Sequence, residues 1–219
     1  MRRFVRLLGT LLILGGVASL AWALVVWGWE DPFTSVYTAY EQRTLADGLD
    51  RRIEGWRPTG ATTVADARAF RKGVRRGNAI GRLVVPRLGL RMVVVYGTDS
   101  ETLKRGPGLD QRTFFPGQGR LVYIAGHRTT YAAPFSRIDT LRRGDLITLE
   151  MPYGTFTYRV TRSIVVPATQ LSVLRSRKRE EVALQACHPR FFASHRWITY
   201  GRLVKTSAPV ASGSEATDY

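Results

Sequence analysis

Cysteine is almost absent. Cys187 is the only one in 219 residues. A lone cysteine closes no disulfide within the chain, so no cross-link framework holds the fold. The thiol is either an inert buried group or one kept for reactivity. Histidine is scarce too, at three residues: His127, His188 and His195. Acidic residues number 17 against 33 basic ones, a formal charge of +16. No acidic cluster suits calcium. A zinc site from Cys187, His188 and His195 lacks the paired-ligand spacing of structural zinc and has no second cysteine. No metal or cofactor is therefore expected. The arginines are scattered, which argues against a nucleic-acid partner. They suit anionic lipid or an acidic envelope, or serve only as solubilising residues. There is no internal repeat and no extended low-complexity tract.

Charge is missing altogether from Leu7 to Trp29, and Arg2, Arg3 and Arg6 precede that run. As a helix the run reaches about 34 Å, enough to cross a bilayer core. The basic flank predicts a cytoplasmic N-terminus, with everything after Glu30 outside. Ala21-Trp22-Ala23 has the small-x-small form of a signal-peptide site. Trp22 is bulky, however, and the apolar run continues through Val25, Val26 and Trp27. Residues 1–30 are thus expected to be a basic flank and an uncleaved single-pass anchor. Trp22, Trp27 and Trp29 suit its outer interfacial belt.

Residues 31–77 read as an extracellular stalk or linker. A helix is expected from Pro32 to about Asp47. Breakers follow from Gly55 to Thr63, then a short arginine-rich helix from Val64 to Arg76. From Asn78 the pattern turns to short strands: Ile80–Pro86, Leu90–Tyr96, Leu121–Ala125, Leu146–Glu150, Thr155–Val160 and Ile164–Val166. Gly106-Pro107-Gly108 and the Pro116–Gly119 stretch mark loops. Short helices are expected at Asp99–Lys104, Phe135–Leu141 and Gln170–Arg175. With two strands around Cys187, seven or eight strands favour a closed barrel or sandwich over residues 78–206. Residues 207–219 read as a polar tail.

Val182 to Cys187 is the first of those two strands, and Arg196 to Val204 is the second. Period-two alternation puts Ala183, Gln185 and Cys187 on one face, with Val182, Leu184 and Ala186 on the other. Trp197, Thr199 and Leu203 share a face opposite Arg196. In an antiparallel hairpin Cys187 and Arg196 sit side by side on a polar face, with Val182, Leu184, Trp197 and Leu203 in the core. A thiol beside a fixed cation is a candidate activated nucleophile. His127 follows the apolar strand ending at Ala125, where the chain enters a loop, a common place for catalytic groups. His188 neighbours Cys187 and so points to the other face. His195 meets the same objection relative to Arg196.

The run AGHRTTYAAPF from Ala125 to Phe135, LRRGD from Leu141 to Asp145, the strand ending in Cys187, and Arg196 nine residues on together resemble a sortase. The match is most similar to class E sortases of actinobacteria. The resemblance implies a closed eight-stranded β-barrel with a few short helices behind a transmembrane helix and a partly helical stalk. It implies a membrane-anchored cysteine transpeptidase with His127, Cys187 and Arg196 as catalytic residues. The enzyme would cleave a C-terminal sorting signal, LAxTG or LPxTG, between Thr and Gly. It would join the Thr carbonyl to an amine of peptidoglycan or a pilin. Its partners would be exported proteins carrying that signal. Sortases usually have Thr-Leu-x-Thr-Cys before the thiol, and here Ala183 and Ala186 replace both threonines. Ala186 and Tyr131 are expected near the substrate. Two other readings are a non-catalytic membrane-anchored barrel and an L,D-transpeptidase. The latter resembles Ser-His-Gly-Cys, which Gln185-Ala186 before Cys187 matches poorly. A papain-like protease is disfavoured because its cysteine opens a helix.

Overall fold

The computed structural model describes residues 2–28, 32–59 and 62–209. Helix α1 spans Arg2–Gly28, and its stretch Arg2–Leu24 is long and apolar enough to cross a membrane. Trp29, Glu30 and Asp31, where the anchor was expected to end, lie outside the described residues, as does the tail from Val210.

Eight strands form a closed barrel: β1 (Ala79–Val85), β2 (Leu90–Tyr96), β3 (Gly108–Leu109), β4 (Leu121–Ala125), β5 (Leu146–Met151), β6 (Gly154–Pro167), β7 (Glu181–His188) and β8 (His195–Ser207). Their order around the barrel is β1-β2-β3-β4-β7-β8-β6-β5. Closure leaves no unpaired edge. The interior is filled by inward side chains of alternating residues, among them Leu83, Ile124, Leu149, Phe156, Tyr158, Val182 and Leu184. Phe115 and Phe135 enter it from loops, both fully buried.

Several elements differ from the sequence expectation. Gly108, read as part of a loop, forms with Leu109 a two-residue strand that bridges β2 and β4. The two strands expected at 155–166 are one, β6, which pairs with β8 through register shifts near Thr157 and Thr161. Of the three short helices, α4 (Ser100–Lys104) forms, capped by the Asp99 carboxylate, which accepts from the Thr102 N–H. The other two reduce to 3-10 turns at Ile138–Thr140 and Leu171–Leu174. Strand β8 takes in Ser207, the first residue assigned to the tail.

The segment read as a stalk lies against the barrel. Helix α2 runs Pro32–Gly55 and α3 runs Thr63–Lys72. Leu45 and Leu49 of α2, one turn apart, pack on Ala79, Val93 and Val95. Burying each leucine is worth about 1.5–3 kcal/mol. Gln42 acts as a third strand to β2: its amide donates to the Val93 carbonyl at 3.0 Å and accepts from the Val93 N–H at 2.7 Å. Trp56, just past α2, meets Phe70 of α3 edge-on at 5.5 Å and Tyr153 at 6.2 Å. Thr62 caps α3 by accepting from the Ala65 N–H.

Candidate active site

Strand pairing alone assembles the site. Strands β4 and β7 are parallel, with Ala125 level with Gln185. Two residues further along each chain come His127 and Cys187. The Gly126 N–H donating to the Gln185 carbonyl at 3.0 Å carries that register past the end of β4. Strands β7 and β8 are antiparallel, with Cys187 opposite Arg196. Direct partners of this kind stand about 4.5–5.5 Å apart at Cα. The order across the sheet is therefore His127, Cys187, Arg196. All three line one cleft of about 270 Å³. Cys187 is half-buried and unpaired with another thiol.

The face that carries them is less polar than alternation suggests. Leu121, Tyr123, Val166, Ala183, Ile198 and Tyr200 form a second apolar cluster outside the barrel wall. Ile164, Val173 and Leu174 cover it from β6 and the crossover between β6 and β7. That crossover roofs the cleft through Ala168, Gln170, Leu171, Val173 and Leu174. A second hollow of about 330 Å³ lies beside the first, with Gln170 and Val173 in the lining of both.

Each principal side chain is held by its neighbours. The His127 carbonyl accepts from the Phe135 N–H at 3.1 Å, closing the loop after β4. Within it Tyr131, Ala132 and Ala133 have φ of 54°, 57° and 33°, a left-handed stretch that side chains disfavour. The Tyr131 N–H donates to the Thr34 hydroxyl of α2 at 2.8 Å. Its ring lies 5.1 Å from the imidazole of His127 and 6.4 Å from Tyr37. The Nε2 atom of His127 is buried with no hydrogen-bond partner among the described residues. Burial pushes the imidazole below its ordinary pKa, because the enclosed site disfavours the cation. His127 borders the cleft, and its buried Nε2 retains an unused hydrogen-bonding position.

Arg196 donates from one guanidinium nitrogen to the Ala193 carbonyl at 2.7 Å and to the His195 carbonyl at 2.9 Å. These bonds fix the planar cation at the cleft wall. Arg128, next to His127, is almost fully buried and acts as a strut. It pairs with Asp139 at 2.8 Å and donates to the Cys187 carbonyl at 3.3 Å. It also lies 2.9 Å from Nδ1 of His188. Arginine has no acceptor, so Nδ1 accepts and the His188 proton sits on Nε2. His188 is thus occupied with Arg128 and Trp197 rather than the thiol.

Two expected substrate contacts fall elsewhere. Ala186 is fully buried inside the barrel, on the face of β7 away from the cleft, and lines none of it. Tyr131 touches His127 but is not among the cleft-lining residues. The cleft instead contains Gln185, which alternation put on the face of Cys187, and Asp110, Arg112, Thr98 and Tyr123, which the sequence reading did not single out. Asp110 is buried, which by itself would raise its pKa. Hydrogen bonds from the Arg112 side chain and backbone outweigh that and hold the carboxyl below its usual value. An Asp-x-Arg pair after a Gly-Pro-Gly turn was the available signal. Among the described residues no three His, Cys, Asp or Glu side chains are placed to hold a metal.

Comparison with known proteins gives a consistent result. The family model for the sortase domain matches residues 83–204. Sortase D of Bacillus subtilis (strain 168) is 31% identical over 132 residues, covering 58% of this chain and 65% of that protein. The chain thus spans a little under two thirds of that relative's length. The fold matches a Clostridium perfringens Sortase D5 transpeptidase with a TM-score of 0.65 and 19% identity, over 76% of this chain and 99% of the other. A sortase E from Streptomyces avermitilis matches with a TM-score of 0.56 and 29% identity, over 65% and 98%.

Proposed function

The chain belongs to the sortase family, whose members are cysteine transpeptidases, and from that premise we propose that it is an active transpeptidase using Cys187, His127 and Arg196. The observation that carries the reading is the side-by-side register of those three residues in one cleft. Cys187 attacks the Thr carbonyl of a Thr-Gly bond in a sorting signal. A C–S bond forms, and the C–N bond breaks as His127 gives its proton to the leaving amine. The acyl group rests on sulfur as a thioester. An amine from peptidoglycan or a pilin then attacks, returning a proton to His127, and the thiolate departs. Arg196 donates to the oxyanion in both steps.

The chemistry needs an imidazolium beside a thiolate. Burial favours the neutral imidazole, so the competent pair is a minority state and turnover is slow. Tyr131 holds the imidazole in place. Ala186 is not carried forward as a substrate contact.

Around that core we place the finer assignments. The run from Ala125 to Phe135 and the motif LRRGD support a class E enzyme that prefers LAxTG to LPxTG. Helix α1 serves as the membrane anchor, with the N-terminus cytoplasmic and the catalytic domain outside. The test is incubation with LAxTG and LPxTG peptides plus an amine, followed by mass spectrometry. The expected products are a thioester on Cys187 and a new amide. Identical behaviour of wild type and Cys187→Ala would leave a non-catalytic barrel as the better reading.

A further inference from the structure

Helix α2 starts at the catalytic end of the barrel and runs away from it. Thr34, in its first turn, holds Tyr131 beside His127. Further along, the Thr38 hydroxyl donates to the Lys104 carbonyl, and Gln42 bonds Val93. Trp56, beyond the last turn, meets Tyr153 in the β5–β6 turn at the opposite end. A helix of 24 residues is about 36 Å long. Standing upright, it would lift the barrel that far from a bilayer. It lies back along the wall instead. Only six residues lead from Gly28, the end of α1, to Thr34. Whatever its path, that length reaches at most about 20 Å. The mouth of the cleft is therefore tethered close to the end of α1.

Strand directions put three loops at this same end: 86–89, 126–145 and 189–194. Besides the buried Arg128 they carry five exposed arginines, against two aspartates. The loop between β7 and β8 also presents Phe191 and Phe192, 59% and 81% exposed, next to the exposed Arg190. Both phenylalanines follow closely on Cys187. Aromatic rings beside arginine, on a basic surface a short tether from an apolar helix, match an anionic membrane interface in both chemistry and charge.

We propose that Arg190, Phe191 and Phe192 seat on anionic lipid of the outer leaflet and hold the cleft mouth against the membrane. The proposal rests on the reading of α1 as a membrane anchor. The enzyme then meets substrates that are themselves membrane-held at the depth where they emerge, rather than reaching for them from above.

The full chain carrying Phe192→Cys and Cys187→Ala, labelled with an environment-sensitive fluorophore, tests this in vesicles of phosphatidylglycerol and phosphatidylcholine. Ser207→Cys in the same background labels the opposite end of the barrel. Resistance to carbonate extraction reports insertion of α1 separately. The expected result is an inserted chain whose label at 192 shifts to the blue and is quenched by brominated lipid, while the label at 207 does neither. An inserted chain with both labels alike overturns the proposal and leaves the anchor standing. A chain released by carbonate overturns both. A shift at 192 that requires an added sorting-signal protein overturns it by giving the loop to a protein partner.

Discussion

Cys187 and Arg196 are direct partners across the β7–β8 ladder, the thiol on one strand and the guanidinium on the next. Arg196→Ala should lower kcat/KM for transpeptidation by about 100- to 1,000-fold, the usual loss on removing an oxyanion donor. Arg196→Lys keeps the charge but not the planar fork, so it should fall between. Thermal melting should move little in either, since Arg196 is only half buried. Unchanged kcat/KM in Arg196→Ala would remove it from the chemistry.

Arg128 is a buried cation whose partner Asp139 is 44% exposed. Arg128→Ala should cost about 1–3 kcal/mol in chemical denaturation, because it strips the Cys187 carbonyl and His188 of their donor while Asp139 is left partly in water. A double-mutant cycle with Asp139→Asn should show clear coupling. The same cycle on the exposed pair Lys104–Glu101 should show far less.

His127 gives stability a pH dependence of fixed sign. Its folded pKa lies below the ordinary value near 6.5, which the unfolded chain retains. Between those two values the unfolded state binds more protons, so stability rises with pH. The contribution is complete above about pH 6.5 and is lost as pH falls through the folded pKa. His127→Gln should flatten that part of the stability profile. An unaltered slope would contradict the burial argument.

Gly126 leaves room for a ring. A Cβ there would meet Cδ2 of Phe135 at 2.7 Å and Cγ of Pro134 at 3.1 Å. Gly126→Ala should cost about 1–3 kcal/mol through overpacking. It should also lower kcat more than KM changes, because the displaced segment carries His127. Activity at wild-type level would show that the loop absorbs the methyl.

Glu180 ties the end of the cleft's roof to the barrel. Its carboxylate accepts from the N–H groups of Gly117 and Gly119 and from the Tyr158 hydroxyl, each at 2.8 Å. Burial and the nearby Glu180 charge push the Tyr158 hydroxyl well above its ordinary pKa, so it stays a donor. Glu180→Ala orphans that buried donor and should cost about 1–3 kcal/mol by thermal or chemical unfolding. Phe in place of Tyr158 in the same background should recover part of the loss.

Much of this was legible in residue order. The alternation around Cys187 and Arg196 foretold their pairing, and the apolar run Leu121–Ala125 marked β4 to the residue. That same alternation placed Ala186 with Val182 and Leu184, facing inward, against its assignment to the substrate. The spacing of Leu45, Leu49 and Ile53 was a one-sided apolar stripe, the sign of a docked helix rather than a stalk. Strand β3 was not legible, because two residues show no period and only their neighbours make them a strand. The cleft's Asp110 and Arg112 were hidden for a related reason: the cleft they line is closed by a roof supplied some sixty residues later.

The parallel seam between β4 and β7 joins residues 121–125 to 181–185. Contacts so distant along the chain close late, after local pairs have formed. A polypeptide emerging N-terminus first exposes α2 and most of the barrel wall before Cys187 appears. The sulfur therefore gains its two companions only when the final hairpin zips into the gap. Until that last ladder forms, Cys187 stands on a strand with neither neighbour, and the order of synthesis sets the order of the site.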